Sequence, residues 1–318
     1  MEETLTHPMA GSITGQYFVN DDDTVKVPAI YFMPEVFKNV CSDLASYKWN
    51  EADFLVATYL KNGTHFIWEV MTMLINGSAE YIGASKKELM IDALPVKESA
   101  KVFPSPRVFN THYRTDVLPA EFRKAKTVVV MRNPKDTCIS YYYHVKNIMG
   151  RKSSAPPEIG KMSFQQFLRM FLDDKDVPYG TYFEYIEYMW SLRAEPNVLL
   201  IFYEDLKLDP VETIQKVNEF MGTDRSPELV QQIAEATDFS KMKKGKTGGP
   251  AAEELLKIIK AQNLDEKEIV ERMNKINTQI YRKGKIGDWK NHFTVADNER
   301  FDHFLADWEG GRDIPFKY

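Results

Sequence analysis

Four short apolar runs rich in β-branched and aromatic residues, at 54–59, 107–111, 127–131 and 198–203, are too short for helices and read as buried strands. Helical periodicity follows three of them. After the first, GTHFIWEVMTMLING repeats apolar residues at Phe66, Ile67, Val70, Met73 and Leu74, with Asn76-Gly77 as a C-terminal stop. After the third, PKDTCISYYYHVKNIMG opens with Pro134 and Asp136 in a first turn and is expected to end at Gly150. After the fourth, a helix is expected over about 211–221, stopped by Gly222, and PELVQQIAEAT reads as a further helix. Strands alternating with helices imply a parallel sheet covered on both faces, whose ligands gather beyond the carboxyl ends of the strands. At those ends stand Lys61, His112, Arg132 and Tyr203: two cations, a titratable base and a polar aromatic.

The 318 residues include 41 Lys plus Arg against 46 Asp plus Glu, a formal net charge of −5, and 43% apolar side chains. That supplies a large core and excludes disorder over most of the chain. Because α/β units often exceed ~200 residues, the chain is read as a single domain over 1–318. The densest apolar run, 66–74, is short and interrupted by Glu69, so no transmembrane helix is expected. The start MEETLTHPMAGSITG lacks the basic and apolar regions of a secretory signal, and Cys41 and Cys138 form no ligand or disulfide spacing. A reducing, cytoplasmic setting is therefore expected. Net negative charge argues against a general nucleic-acid or anionic-membrane binder. Positive charge is local, at 123–126, 241–246 and 282–285; each cluster is either a solvated face or part of a site for one highly charged anion. Segment 147–163, NIMGRKSSAPPEIGKMS, has no period and is expected to be a flexible surface loop of the lid or binding kind.

Several motifs bear on chemistry. ATYLKNGTHF sets a Lys, a Gly and a Thr between strand and helix, where backbone N–H groups and the helix dipole favour an anion, although simple turn geometry also explains the Gly. The Gly-Lys-Thr at 245–247 is no nucleotide-binding P-loop, since Ser240 replaces the first glycine and a helix rather than a strand precedes it. In VVVMRNPKDTCIS, Arg132 ends a strand and Ser140 follows about two helical turns later, so both can reach one phosphate; pairing of Arg132 with Asp136 fits the spacing equally well. His112 is either structural or, beside an anion site, a proton acceptor. In YRKGKIGDWKNHFT, two cations and a flexible glycine can wrap an anion, while Trp289 reads as a core anchor.

Together, KNGT after a strand, RNPKDTCISYYYH, FYEDL, TDFSKMK and RKGKIGDWKNHFT, in this order, resemble the cytosolic sulfotransferases. The resemblance implies an α/β fold with a central parallel sheet flanked by helices and a P-loop-like nucleotide-binding turn. It implies 3'-phosphoadenosine 5'-phosphosulfate (PAPS) as co-substrate, PAP as its product, and no metal. It places Lys61, Asn62, Gly63, Thr64 and His65 around the 5'-phosphosulfate, and Arg132, Ser140, Arg282, Lys283 and Gly284 on the 3'-phosphate. Phe66, Tyr203, Thr237 and Phe239 fall at the adenosine, and His112 on the catalytic base, with Lys61, Asn110 and Ser140 beside the chemistry. Lys290, Thr294, Val295 and Glu299 have the spacing of the family's homodimer patch.

This chain departs from the family pattern at Leu60 for Pro, Asn62 for Ser, Phe66 for Trp and Asn110 for Lys. A neutral amide at 110 cannot neutralise charge as an ammonium does, a loss on the order of 10²-fold in rate. The expected acceptor is a small phenol, steroid or alcohol, phenols first because their O–H is most acidic. The N-terminal segment 1–35, with Tyr17, Phe18, Tyr31 and Phe32, and the 147–163 loop are expected near the acceptor pocket, though those aromatics equally suit a core. Two other readings stay open: a PAP-binding or ligand-carrying protein with weakened chemistry, and a nucleoside or sugar kinase, which the missing Walker sequence disfavours.

Overall fold

The computed structural model describes residues 5–7, 11–13, 43–82, 86–92, 94–146, 160–173, 179–245 and 282–317. The aromatics at Tyr17, Phe18, Tyr31 and Phe32, the 147–159 part of the predicted loop, and the Gly-Lys-Thr beyond Gly245 lie outside them. Strands β1 (Leu5–His7) and β2 (Gly11–Ile13) pair antiparallel. Strands β3 (Phe54–Thr58), β4 (Val108–Thr111), β5 (Lys126–Met131) and β6 (Val198–Phe202) form a parallel sheet in the order β4-β3-β5-β6. All four lie within a residue or so of the runs expected from the sequence. The chain leaves β3 for β4 on one side and then crosses to β5 on the other. The β3/β5 boundary is thus the switch point at which such sheets open a crevice.

Helices α1 (Thr64–Asn76), α2 (Val96–Val102), α3 (Pro134–His144), α4 (Phe164–Asp173), α5 (Tyr182–Ser191), α6 (Tyr203–Leu208), α7 (Pro210–Met221), α8 (Pro227–Ala236), α9 (Phe239–Gly245) and α10 (Val295–Asp307) surround the sheet. Gly77 and Gly222 end α1 and α7 in left-handed geometry, as their positions predicted. The α-helical run of α3 stops at His144, short of the predicted end at Gly150, which lies outside the described residues. Six helices, α2, α4, α5, α6, α9 and α10, were not marked by the sequence pattern.

Alternation along the central strands divides the core. Val128 and Val130 of β5 pack with α1, α7 and α8, whereas Val129 and Met131 pack with α3, α4, α5 and Phe301 of α10. Burial on both faces explains why these strands read as continuous apolar runs. Trp68 locks α1 to the sheet: fully buried, it donates its Nε1–H to the Val108 carbonyl at 2.8 Å.

Candidate active site

Between β3 and α1 the chain turns through left-handed geometry twice, at Lys61 (φ 70°) and Gly63 (φ 111°). Glycine is needed at 63 for a second reason, since an added Cβ would lie 2.8 Å from Cδ2 of Tyr203. No side chain among the described residues caps α1, so its N-terminal dipole is uncompensated by a capping group. Thr64 shares a hydroxyl hydrogen bond with Thr58 at 2.5 Å. Asn62 is fully buried and ties the turn to its neighbours: Nδ2 donates to the Val130 carbonyl at 3.3 Å, and Oδ1 accepts from Thr137 at 2.8 Å. Its side chain thereby sets the turn against β5 and α3.

Arg132 gathers the separate stretches. Its Nη1 donates to the Lys61 carbonyl at 3.0 Å and its Nη2 to the Lys285 carbonyl at 3.5 Å, while its guanidinium lies 4.3 Å from the centre of the Tyr203 ring. Its buried Nε has no hydrogen-bond partner among the described residues. The spacing alternative, an Arg132–Asp136 pair, is not what forms. Asp136 instead accepts from the amides of Gly287 (2.7 Å) and Trp289 (3.0 Å), fastening the C-terminal stretch to α3. That stretch carries Arg282 and Lys283, both paired with Asp288 at 2.7 and 2.8 Å. Burial raises the Asp288 carboxyl, but hydrogen bonds from Lys283 and Arg282 outweigh it and hold the group well below the usual carboxylate range. Removal from water, then Arg132, then Arg282 lower the Lys61 ammonium to about 8. Three cations from three distant parts of the chain therefore share one electrostatic neighbourhood. Ser140 sits half-buried on α3, downstream of Arg132.

Tyr203 is the hub of an aromatic wall, touching Gly63 and Arg132 and meeting Phe66 edge-on at 6.4 Å between ring centres. Phe239 closes over Gly284, where an added Cβ would fall 2.1 Å from its ring. Thr237 is fully buried, its hydroxyl donated to the Ile233 carbonyl at 2.7 Å, so it shapes the end of α8 beside this wall. His65 is half-buried in the first turn of α1.

On the opposite side stands His112, only 6% exposed, just past β4. Its Nδ1 lies 2.8 Å from the Thr58 carbonyl, so Nδ1 carries the proton and Nε2 is the acceptor nitrogen. Burial, then the charge of Lys86, push its pKa down to about 3, with a smaller push from Lys61, while the bond to Thr58 opposes them. The ring meets Tyr179 edge-on at 5.5 Å. Asp92 braces the end of β4, accepting from the Thr111 hydroxyl and from the His112 amide at 2.7 Å. Burial dominates there and raises its carboxyl to about 6. Asn110, fully buried, faces Lys86. Lys86 and Asp92 were missed in the sequence because KKELMID carries no motif; only a buried contact reveals them.

The sulfotransferase domain family model matches residues 51–311 of this chain. The chain belongs to the sulfotransferase family. It is 33% identical to sulfotransferase 1C2 of Rattus norvegicus over 286 residues, covering 86% of this chain and 89% of the relative. Sulfotransferase 1A1 of Mus musculus is 32% identical over 302 residues, 92% and 94% of the two chains. Among solved structures, mouse sulfotransferase SULT7A1 complexed with PAP superposes with a TM-score of 0.68 at 25% identity, covering 91% of this chain and 95% of that one. Retinol dehydratase complexed with androsterone and PAP shares the fold, with a TM-score of 0.65 at 19% identity over 89% and 88% of the chains. Family membership makes the protein a PAPS-dependent sulfotransferase. Its residues fit that co-substrate: a buried guanidinium nitrogen on Arg132 without a partner among the described residues, and a Lys61 ammonium destabilised by burial and then by neighbouring cations, are what a polyanion relieves.

Proposed function

We propose that this sulfotransferase moves the sulfuryl group of PAPS to the hydroxyl of a small acceptor, phenols before steroids or alcohols, with His112 as general base. The observation that carries this reading is the 2.8 Å contact between His112 Nδ1 and the Thr58 carbonyl, which fixes the tautomer that offers Nε2 to a proton. PAPS supplies the sulfuryl group, bonded to its 5'-phosphate oxygen. His112 Nε2 takes the acceptor's proton while the acceptor oxygen bonds to sulfur and the bond from sulfur to the phosphate oxygen breaks. Lys61 and the N-terminus of α1 stabilise the electron pair left on that phosphate oxygen. Arg132, Ser140, Arg282, Lys283 and Gly284 hold the 3'-phosphate, and Phe66, Tyr203 and Phe239 flank the adenosine, with Thr237 and Asn62 shaping the walls behind. The products are a sulfate ester and PAP.

The test is transfer of label from sulfate-labelled PAPS to a panel of phenols, steroids and alcohols. Transfer is expected, with loss of at least about 10²-fold in His112→Ala and unchanged PAP affinity. A protein that binds PAP yet sulfates nothing would favour a carrier or weakened enzyme, the reading that neutral Asn110 supports. We also infer a homodimer. Lys290, Thr294, Val295 and Glu299 are exposed around the start of α10, and Val295, 76% exposed, is an unusual apolar residue there. Val295→Glu is expected to give monomers by light scattering. The two cores share one sheet, which supports a single functional unit, and the buried free thiol of Cys138 suits a cytoplasmic setting.

A further inference from the structure

Segment 86–92 runs along the free edge of β4. Met90 bridges to Asn110 in parallel fashion, and the Ile91 amide donates to the Asn110 carbonyl at 3.0 Å. This strap carries Lys86 inside, where it is 4% exposed. Lys86 and Asn110 grip each other in both directions. Asn110 Nδ2 donates to the Lys86 carbonyl at 2.6 Å, and Lys86 Nζ donates to Asn110 Oδ1 at 3.4 Å. Asn110 precedes His112 by two positions, so both side chains lie on the same face of the strand's path. An ammonium taken out of water is costly unless it is paired and hydrogen-bonded; here Asn110 accepts from it and the Asp92 carboxylate feels its charge.

We propose that Lys86 is the acceptor-side cation of this site: held by Asn110, its ammonium stabilises the negative charge that grows on the acceptor oxygen as His112 takes the proton. Asn110 is the positioning residue. The proposal rests on the sulfotransferase reading and deepens it, since it moves the charge absent at position 110 to a different segment of the chain. Among the described residues, the charged groups that act on His112 are Lys86 and Lys61, with Asp92 bonded to its backbone amide. The Asp92 oxygens are engaged by Thr111 and the His112 amide, which directs that carboxylate at the backbone of β4 rather than at an acceptor. The same cation that lowers the basicity of His112 lowers that of a bound phenolate. The proton transfer therefore stays balanced while the anionic nucleophile is favoured.

The probe is 4-nitrophenol, whose absorbance reports its ionisation when it binds the protein together with PAP. Lys86→Met is expected to keep PAP affinity within about twofold, to raise the apparent pKa of bound 4-nitrophenol by about one unit or more, and to lower kcat/KM about 10- to 100-fold. Adding Asn110→Lys to that variant is expected to restore most of both. If Lys86→Met does not fold, Lys86→Gln and Lys86→Arg separate charge from packing: only the Gln variant should raise the bound pKa. Unchanged ionisation and unchanged kcat/KM in Lys86→Met or Lys86→Gln would overturn the proposal. So would losses accompanied by weaker PAP binding that Asn110→Lys fails to repair, the signature of a purely structural lysine. Wild-type protein that binds PAP but transfers no sulfuryl group would sink the function itself; active wild type with an unaffected Lys86→Gln sinks this inference alone.

Discussion

Raising the pH from 7 to 9 is expected to weaken PAP binding about tenfold, through one group. In the free protein, burial and the charges of Arg132 and Arg282 lower Lys61 to about 8. At pH 7 that lysine is about nine-tenths charged and at pH 9 about one-tenth, whereas a 5'-phosphate beside it would raise the pKa again and keep it charged throughout. The charged fraction of free protein sets the apparent affinity, which gives the tenfold span, about 1.4 kcal/mol. Competing titrations are out of range: the second ionisation of a phosphate lies near pH ~6, His112 is pushed down to about 3, and Asp288 stays ionised. Binding near pH 8 should take up about half a proton, readable by calorimetry in buffers of different ionisation heat. Lys61→Arg, which does not titrate in this range, should bind PAP with equal strength at both pH values. Affinity constant from pH 7 to 9 in the wild type, or a slope retained in Lys61→Arg, would show that Lys61 does not face the nucleotide.

Other expectations follow from the same geometry. Gly63→Ala should cost about 1 kcal/mol or more in urea unfolding and raise KM for PAPS, because it opposes both a φ of 111° and the Tyr203 ring; an unaltered midpoint and KM would refute the close packing. Asp136→Ala should free the 287–289 backbone and weaken PAP binding about 10-fold or more without changing the acceptor KM, by loss of two charge-assisted hydrogen bonds. Because Asp92 is raised to about 6, its contribution to stability is fully present below about pH 3.9 and is lost as pH rises through 6. That is up to about 3 kcal/mol, and Asp92→Asn should flatten this part of the stability profile. The acid limb of kcat/KM should lie below about pH 5, since free His112 remains neutral above it; a limb near the ordinary histidine value would contradict its burial.

The strands and the cations at their ends were legible because a sheet buried on both faces writes itself as short apolar runs, and the residue after each run is then at the crevice. Arg132, Lys61 and His112 emerged that way. What stayed hidden depends on contacts between distant segments. Spacing alone let Arg132 pair with Asp136 as readily as reach a phosphate with Ser140, whereas the Asp136 carboxylate in fact holds amides 151 and 153 positions away. The strap bearing Lys86 and Asp92 has no period of its own and is defined by its edge contact with Asn110. Helix α10 is polar, with Phe301 and Asp297 its buried residues, but the Thr294–Asp297 capping box was a readable start signal that went unused. At Asn62, one of the departures from the family pattern, the amide side chain bonds the Val130 carbonyl and the Thr137 hydroxyl, a packing role that spacing could not reveal.

Comparing PAP with adenosine 5'-phosphate, which lacks the 3'-phosphate, tests most directly whether the β5 end and the C-terminal stretch grip one end of the nucleotide while the β3 turn grips the other. Calorimetric titration of Arg132→Met, Arg282→Met and Lys61→Met should show the two arginine variants losing about 10-fold or more in affinity for PAP and little for adenosine 5'-phosphate. Lys61→Met should weaken both ligands alike. Equal losses for the two ligands in the arginine variants, or PAP affinity untouched by either, would contradict the convergence on which the proposed sulfuryl transfer depends.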